Sequence, residues 1–458
     1  MANKHLDKSG YGPVFESSSA IAGLLRSAAN PSRIKILALA MRGSGESSSM
    51  AKATLLSKTA LANHVSQLVD EGLMRRQARG KYELTPDGKE LLSAAFSTYK
   101  RSMRRVDEEK ERIKRSYGKA FGQPADTDRF EIASKVEYQP CWLSLLGAVA
   151  GSLTALGAKC NTVDVGGHTG YPFLINVSKG ETCPSGPTAL HIKTFLEMLE
   201  AVQSLGWRIQ NFEYPHSYPS GSSGPTPDEL RVVKGLFERI KKEMEENGRP
   251  VVVYGLASPE YGIVRGYEGE SYIVSTFRSQ LNPGVAEAPI PYHSLNAPGC
   301  VDALFFERKV RVRKGKARRA ALARALKFAE GRAETQKNYL SGPSALEEWA
   351  RVLEEVPRAS QNYMGNSYVG ACVQEGRELS SAFLKGISKK MASADSRHLA
   401  RASVSYSKGA RTLAEFTRIF PFRFEGAMPA TKRKRGAALL REAESYEEKA
   451  IQHLRKVA

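Results

Sequence analysis

Cys141 is the residue of this chain best placed for covalent chemistry. It lies between Pro140 and Trp142 at the head of PCWLSLLGAVAGSLTALG, an apolar stretch that predicts a buried helix beginning at Pro140 and Cys141. The free N–H groups and dipole at a helix amino terminus favour negative charge, so a thiol there is a candidate nucleophilic thiolate. The alternative is a small apolar side chain packed in the helix. A nucleophile needs a base, so the partners of Cys141 decide between the two interpretations.

The cysteines as a set indicate neither a metal centre nor a disulfide framework. There are five of them, with no CxxC spacing: Cys141, Cys160, Cys183, Cys300 and Cys372. We therefore expect no metal, no cofactor and a reducing compartment, the cytoplasm. No apolar run is long enough to span a bilayer and the first residues lack the pattern of a secretory signal, so we expect no membrane partner.

A second candidate site is the stretch LSKTALANHVSQLVDEGL, residues 56–73, which predicts an amphipathic helix. Ser57 can cap its first turn, and Gly72 can adopt the left-handed conformation after its last turn. One face is apolar, formed by Leu61, Val65, Leu68 and Val69. The opposite face carries hydrogen-bonding groups, namely Thr59, Asn63, Ser66, Gln67 and Asp70. Such a face is either simply solvated or able to read base edges.

The surrounding elements favour the second interpretation. Three helices are predicted upstream, in SSSAIAGLLRSA, NPSRIKILALAMRG and SSMAKATLL, and LMRRQARGKYELT downstream predicts a β-hairpin. The hairpin carries four cations: Arg75, Arg76, Arg79 and Lys81. A further helix is predicted from Thr85 and Pro86 to about Tyr117. This order is that of a winged helix-turn-helix, in which one helix enters the major groove and the hairpin contacts phosphates.

Charge is unevenly distributed along the 458 residues. Residues 1–120 hold 22 Lys/Arg against 12 Asp/Glu, a net of +10; residues 121–310 hold 16 against 21, a net of −5. Residues 311–458 hold 30 against 15, a net of +15. Basic regions favour a polyanionic partner, either nucleic acid or an anionic membrane surface.

Residues 20–95 resemble the ArsR-type winged helix-turn-helix regulators. NPSRIKILALA resembles the family's opening helix, SKTALANHVSQLVDEGLMRR its recognition helix and first wing strand, and GKYELTPDGKELL the second wing strand and last helix. The resemblance implies base contacts from six polar residues: Ser57, Lys58, Thr59, Asn63, His64 and Gln67. Packing against a neighbouring helix is the alternative for His64, and phosphate contact for Lys58. The metal-sensing cysteines of some relatives are missing.

Residues 130–310 resemble the papain-like family that includes the amino-terminal domain of butirosin biosynthesis protein H, chiefly in RPVVVYGLASPEYGIVRGYEGESYIV. The resemblance implies a histidine and an acid or amide as partners of the cysteine. Glu260–Tyr261 and Ser275–Thr276 fill those two positions here, and neither pair can act as an imidazole base. The domain is therefore predicted to be degenerate, with Cys141, Trp142, Glu260 and Tyr261 as a candidate ligand pocket.

The predicted fold class is a multidomain α+β chain. We predict a winged helix-turn-helix with a long connecting helix in residues 1–120, a degenerate papain-like α/β domain in 121–312, and a helical bundle in 313–458. The predicted function is a cytoplasmic transcriptional regulator that binds double-stranded DNA as a homodimer. Its degenerate papain-like domain is predicted to sense a small-molecule or peptide ligand or to mediate pairing. The alternatives are a Cys141-dependent acyltransferase or amidase with an accessory winged helix, and a structural protein that binds DNA without sequence preference.

Overall fold

The computed structural model describes residues 17–54, 56–98, 128–221, 224–256, 258–281, 286–355, 363–422 and 428–458. The chain divides into two compact units, Met1–Ala125 and Asp126–Ala458. The part of the predicted connecting helix beyond residue 98 lies outside the described residues. Within the described ranges, no helix is both long enough and apolar enough to cross a bilayer.

The first unit is built from short helices whose ends follow local sequence signals. The helices are α1 Ser18–Ala28, α2 Pro31–Met41, α3 Ser47–Thr54, α4 Lys58–Asp70 and α5, residues 86–98. The Asn30 side chain caps α2 by accepting from the N–H groups of Ser32 and Arg33, and Pro31 occupies the first helical position. The helices and the hairpin below share one apolar cluster, which contains Ile36, Leu37, Met50, Leu61, Val65, Leu68, Leu73, Met74 and Leu84.

Strands β1 (Met74–Ala78) and β2 (Lys81–Leu84) form the predicted antiparallel hairpin. The chain reverses at Arg79–Gly80, where Gly80 has a φ of 74°, which favours glycine. The Ser47 N–H donates to the Gly80 carbonyl oxygen at 2.8 Å, so the hairpin is attached to the start of α3.

The second unit contains a seven-stranded antiparallel sheet. Its strands run in the order β5-β10-β6-β7-β8-β9, with β3 paired to β7. The strands are β3 Arg129–Glu131, β5 Trp207–Tyr214, β6 Val251–Tyr254, β7 Tyr261–Glu268, β8 Ser271–Ser275, β9 Ile290–Pro291 and β10 Val301–Lys309. All four residues of β6 are buried, and because neighbouring side chains point to opposite faces, both faces of the sheet are covered there. Short strands β4 Asn176–Ser178 and β11 Tyr339–Ser341 form a separate pair.

Helices surround the sheet and continue to the end of the chain. Those before residue 312 are α6 Ser144–Ala155, α7 Thr162–Thr169, α8 Ile192–Ala201, α9 Pro227–Asn247 and the single turn α10 Arg278–Leu281. The later ones are α11 Lys314–Ala329, α12 Pro343–Glu355, α13 Tyr363–Ser388, α14 Ser393–Ile419 and α15 Ala430–Leu454. Residues of α13, α14 and α15 belong to the same apolar cluster as the sheet, so the carboxy-terminal helices are part of the core of this unit.

A buried ion pair joins two of these helices to the rest of the unit. Arg377 in α13 and Glu447 in α15 are 1% and 2% exposed, with Nε and Oε1 2.5 Å apart. The Arg377 guanidinium also donates to the Pro172 carbonyl oxygen at 2.7 Å. The predicted mixed α+β class with helical carboxy-terminal segments is confirmed, and the proposed domain boundary at residue 312 stays a prediction.

Candidate functional site

Helix α4 has the ends and the buried face that its sequence predicts. The Ser57 hydroxyl oxygen accepts from the Ala60 N–H at 3.2 Å, and Gly72, with a φ of 71°, follows the last turn. Leu61, Val65 and Leu68 are buried in the cluster of the first unit. The polar face therefore points away from that core.

The six candidate base-reading residues all lie on the accessible side of α4. Ser57, Lys58, Thr59, Asn63 and Gln67 are exposed, and His64 is half-buried. Burial lowers the pKa of His64, and the charge of Arg33 in α2 lowers it further, so the imidazole is favoured in its neutral form. The Gln67 Oε1 accepts from the Arg33 guanidinium. Gln67 thus contacts helix α2, and its amide nitrogen makes no hydrogen bond among the described residues.

The four hairpin cations are exposed, but their surroundings differ. Arg75 pairs across the hairpin with Glu83, with Nε and Oε1 2.7 Å apart. Arg76 donates to the Ala78 carbonyl oxygen at 3.4 Å. Within the part of the chain that the structure describes, Arg79 at the turn and Lys81 beside it have no carboxylate partner. These two cations are therefore the best placed to bind an external phosphate.

Sequence reasoning missed the residue that lets the hairpin approach α3. Gly45 accepts through its carbonyl oxygen from the Tyr82 N–H at 2.9 Å. A Cβ atom at Gly45 would lie 1.9 Å from the Tyr82 carbonyl oxygen, so a side chain cannot fit without backbone movement. The second glycine of GSGESSS, Gly45, was the available signal for this close approach, but glycines are also common in turns that make no such contact.

In the second unit, Cys141 lies before helix α6 and not within it. The helix begins at Ser144, so the prediction that Pro140 and Cys141 start it is wrong by several residues. Cys141 is 2% exposed. Its backbone carbonyl oxygen accepts from the Tyr138 hydroxyl at 2.7 Å, which holds the segment before the helix in place.

A carboxylate from the carboxy-terminal helices occupies the amide groups beside this thiol. Glu375 Oε2 accepts from the N–H groups of Trp142 at 2.7 Å and Leu143 at 3.3 Å. The same oxygen accepts from the Cys141 Sγ at 3.1 Å. The donors that would stabilise a thiolate or an oxyanion are thus engaged by a side chain of α13.

The electrostatic environment of Cys141 bears on the two interpretations of this residue. Burial raises the pKa of the Cys141 thiol well above its ordinary value, and the Glu375 carboxylate raises it further. Burial also raises the pKa of Glu375. The arrangement favours the interpretation of Cys141 as a small buried side chain, because the Glu375 carboxyl group already occupies the backbone donors that would stabilise a thiolate.

The two positions where the resemblance implies catalytic partners are used in structural hydrogen bonds. The Glu260 carboxylate accepts from the hydroxyls of Ser144 and Tyr368, both at 2.5 Å. Burial raises the pKa of Glu260. At the other position, the Ser275 hydroxyl oxygen accepts from the Tyr138 N–H at 2.9 Å. The Thr276 hydroxyl donates to Glu287 at 2.5 Å.

The four candidate pocket residues have different surroundings. Trp142 is half-buried and meets Phe422 edge-on, with ring centroids 4.8 Å apart. Tyr261 is buried and donates its hydroxyl to Asp302 Oδ2 at 2.6 Å. A cleft in the second unit is lined by Leu143, Tyr171, Pro172, Leu174, Asn176, Pro187, Cys372, Val373 and Gly376. None of the four candidate pocket residues belongs to this lining.

Three residues of α13 were missed as members of this cluster: Tyr368, Cys372 and Glu375. Cys372 is 2% exposed, and burial raises the pKa of its thiol. Glu375 lies 234 positions after Cys141, and no spacing or motif in the sequence connects the two. Among the described residues, no group of His, Cys, Asp and Glu side chains is arranged to hold a metal ion.

Comparison with known proteins adds no family assignment: no family model and no curated protein sequence matches the chain.

Proposed function

We propose that this protein is a DNA-binding transcriptional regulator whose first unit is a winged helix-turn-helix. The observation that carries the proposal is the exposed polar face of α4 beside a hairpin whose turn presents unpaired cations. Asn63 and Gln67 have the amide groups that pair with adenine in the major groove, each contributing about 1–3 kcal/mol of discrimination. Arg79 and Lys81 would contact the flanking phosphates.

We propose that the regulator acts as a homodimer in the cytoplasm. Several large apolar side chains of the first unit are exposed, among them Ile21, Leu25, Ile34 and Met41, at 36%, 52%, 47% and 42%. Apolar side chains gathered on one small unit favour a contact with a second copy. A twofold dimer would read two half-sites separated by about one helical turn of DNA or a multiple of it.

The second unit is proposed to sense a small-molecule or peptide ligand or to mediate pairing, as a papain-like domain without turnover. Support comes from Cys141, whose thiol is buried and hydrogen-bonded to Glu375. Glu260, which replaces the expected histidine, is held by Ser144 and Tyr368 and is not directed to act as a base. These arrangements disfavour the Cys141-dependent acyltransferase or amidase.

The decisive experiment is selection of bound sequences from random duplexes by the full-length protein at a stated salt concentration. Enrichment of an inverted repeat is the expected result. Asn63→Ala should relax the preference at one position of each half-site, whereas Arg79→Gln should weaken binding to all duplexes alike. Both residues are exposed, so neither change should alter the unfolding midpoint. An unenriched pool would refute the proposal and favour binding without sequence preference.

The same preparation tests the enzymatic alternative. Cys141→Ser should leave the enriched sequence and the affinity for it unchanged. If the wild-type protein hydrolyses or transfers acyl groups from amide or thioester substrates and this variant does not, the second unit is an enzyme.

A further inference from the structure

The segment that joins the last sheet strand to α11 is a concentrated basic surface. Residues 308–319, RKVRVRKGKARR, contain eight Lys or Arg in twelve positions and no Asp or Glu. They span the end of β10 and the first turns of α11. This part of the second unit thus differs from the acidic sequence that precedes it.

Most of these cations are exposed and uncompensated. Those at positions 308, 309, 311, 313, 314, 316 and 319 are exposed, and Arg318 is half-buried. In the described part of the chain none of the eight forms an ion pair, although the adjacent Glu307 pairs with Arg208. Lys314 and Lys316 lie in the first turn of α11, where the helix dipole disfavours positive charge and where there is no acidic residue. The placement of Lys314 and Lys316 therefore costs stability, and among the described residues no ion pair offsets that cost.

A second group of lysines lies next to this segment. The Arg318 guanidinium donates to the Lys390 carbonyl oxygen at 2.8 Å, which holds the end of α13 beside α11. Lys385, Lys389 and Lys390 are exposed, and none of them has an ion-pair partner among the described residues. The two segments together form what we call the α11 basic surface, defined as residues 308–319 with Lys385, Lys389 and Lys390.

We propose that the α11 basic surface binds the phosphate backbone of duplex DNA without reading sequence. A group of exposed cations without ion-pair partners gains free energy by releasing the counterions condensed on a duplex. An anionic membrane fits less well, because helices that bind bilayers also insert apolar side chains. None of the exposed large apolar side chains in the described residues belongs to this surface. The role is separate from base recognition by α4, and it places a DNA contact in the second unit.

The test is the salt dependence of binding by the full-length protein to a random-sequence duplex, measured by fluorescence anisotropy. The test variant changes four cations of the surface: Arg311→Gln, Arg313→Gln, Lys314→Gln and Lys316→Gln. Each lost phosphate contact should reduce the slope of log K against log salt by about 0.9, so that full contact predicts a reduction of about 3.6. We expect a reduction of at least about 2.

The matched control removes the same net charge from exposed cations that are already ion-paired. It changes residues bonded to Glu137, Glu334, Glu246 and Glu415, namely Lys135→Gln, Lys193→Gln, Lys242→Gln and Arg435→Gln. Its slope should fall by less than about 1. Equal slopes for the two variants, or a test variant identical to the wild type, would overturn the proposal. Loss of binding to phosphatidylserine vesicles with unchanged DNA binding would assign the surface to a membrane and overturn it as well.

These outcomes are distinguishable from failure of the proposed regulator function. The duplex is random, so the slope does not depend on whether α4 recognises a sequence. Urea unfolding of both variants checks folding, and removing cations from the first turn of α11 should not lower stability.

Discussion

Asp302 is a buried acid whose titration should be visible in the stability of the second unit. It lies on β10 and is 1% exposed. Its Oδ2 accepts from the Tyr261 hydroxyl at 2.6 Å, whereas its Oδ1 has no hydrogen-bond partner in the described residues. Burial raises the pKa of Asp302 to about 7 from an ordinary value of 3.8, and the bond from Tyr261 only partly opposes this shift. Ionised Asp302 therefore destabilises the folded state.

The sign and size of the effect follow from the two pKa values. Between 3.8 and about 7 the folded state binds more protons than the unfolded state, so the stability contributed by protonated Asp302 is lost as the pH rises through that window. The whole shift is worth about 4 kcal/mol. Integrated from about pH 5 to about pH 8, the loss is about 2.6 kcal/mol. Asp302→Asn keeps an acceptor for Tyr261 but cannot ionise, so it should lack this loss.

The assay is urea unfolding of the wild type and of Asp302→Asn at about pH 5 and about pH 8, followed by tryptophan fluorescence. The variant should gain about 2.6 kcal/mol relative to the wild type between the two conditions. Asp228→Asn, at an exposed aspartate that pairs with Arg231, serves as the control, and its effect on the unfolding free energy should be the same at both pH values. A difference between wild type and Asp302→Asn that is equal at both values would refute the reasoning.

Three further predictions concern other contacts. Glu375→Ala removes the carboxylate beside Cys141 and frees two backbone N–H groups. Alkylation of the Cys141 thiol by iodoacetamide, measured by mass spectrometry, should therefore become several-fold faster. An unchanged alkylation rate would contradict the assigned contact. Glu447→Ala leaves the Arg377 charge buried without its partner and should destabilise the second unit by about 3–5 kcal/mol in urea unfolding. A decrease of the unfolding free energy by less than about 1 kcal/mol would show that the ion pair is dispensable. Leu25→Ser should shift sedimentation from dimer towards monomer without lowering the unfolding midpoint, and an unchanged dimer would place the interface elsewhere.

Local signals explain why the first unit was predictable. The ends of α4 follow from Ser57 and Gly72, residues that act on backbone groups within one turn of themselves. The hairpin follows from Gly80 between two short strands, and the Thr85 hydroxyl oxygen accepts from the Gly88 N–H at 3.1 Å, as expected of a cap. The attachment at Gly45 was not predictable, because it depends on a strand that comes later in the chain.

The environment of Cys141 could not be read from the sequence because it is non-local. Its position suggested a helix start, yet α6 begins only at Ser144, since the segment before it is held by Tyr138 and Glu375. Apolar periodicity predicts that α13 is a helix. It does not predict that the carboxyl group of Glu375 on this helix lies next to the Cys141 thiol. Burial raises the pKa of Cys141, and the further rise caused by Glu375 comes from a residue that no local pattern could identify.

The geometry of α13 also bears on whether Cys141 can become a nucleophile. Access to the thiol requires the Glu375 carboxylate to leave Cys141, Trp142 and Leu143, and two of these are backbone donors that would then be unsatisfied. Movement of α13 as a body is opposed two residues further on by Arg377, whose buried pairing with α15 would be broken. Each catalytic turnover would therefore require both the loss of the Glu375 hydrogen bonds and the breaking of the Arg377 ion pair. A DNA-binding protein would have neither cost, because the cluster would keep its observed arrangement while the DNA contacts proposed for α4 and for the α11 basic surface form.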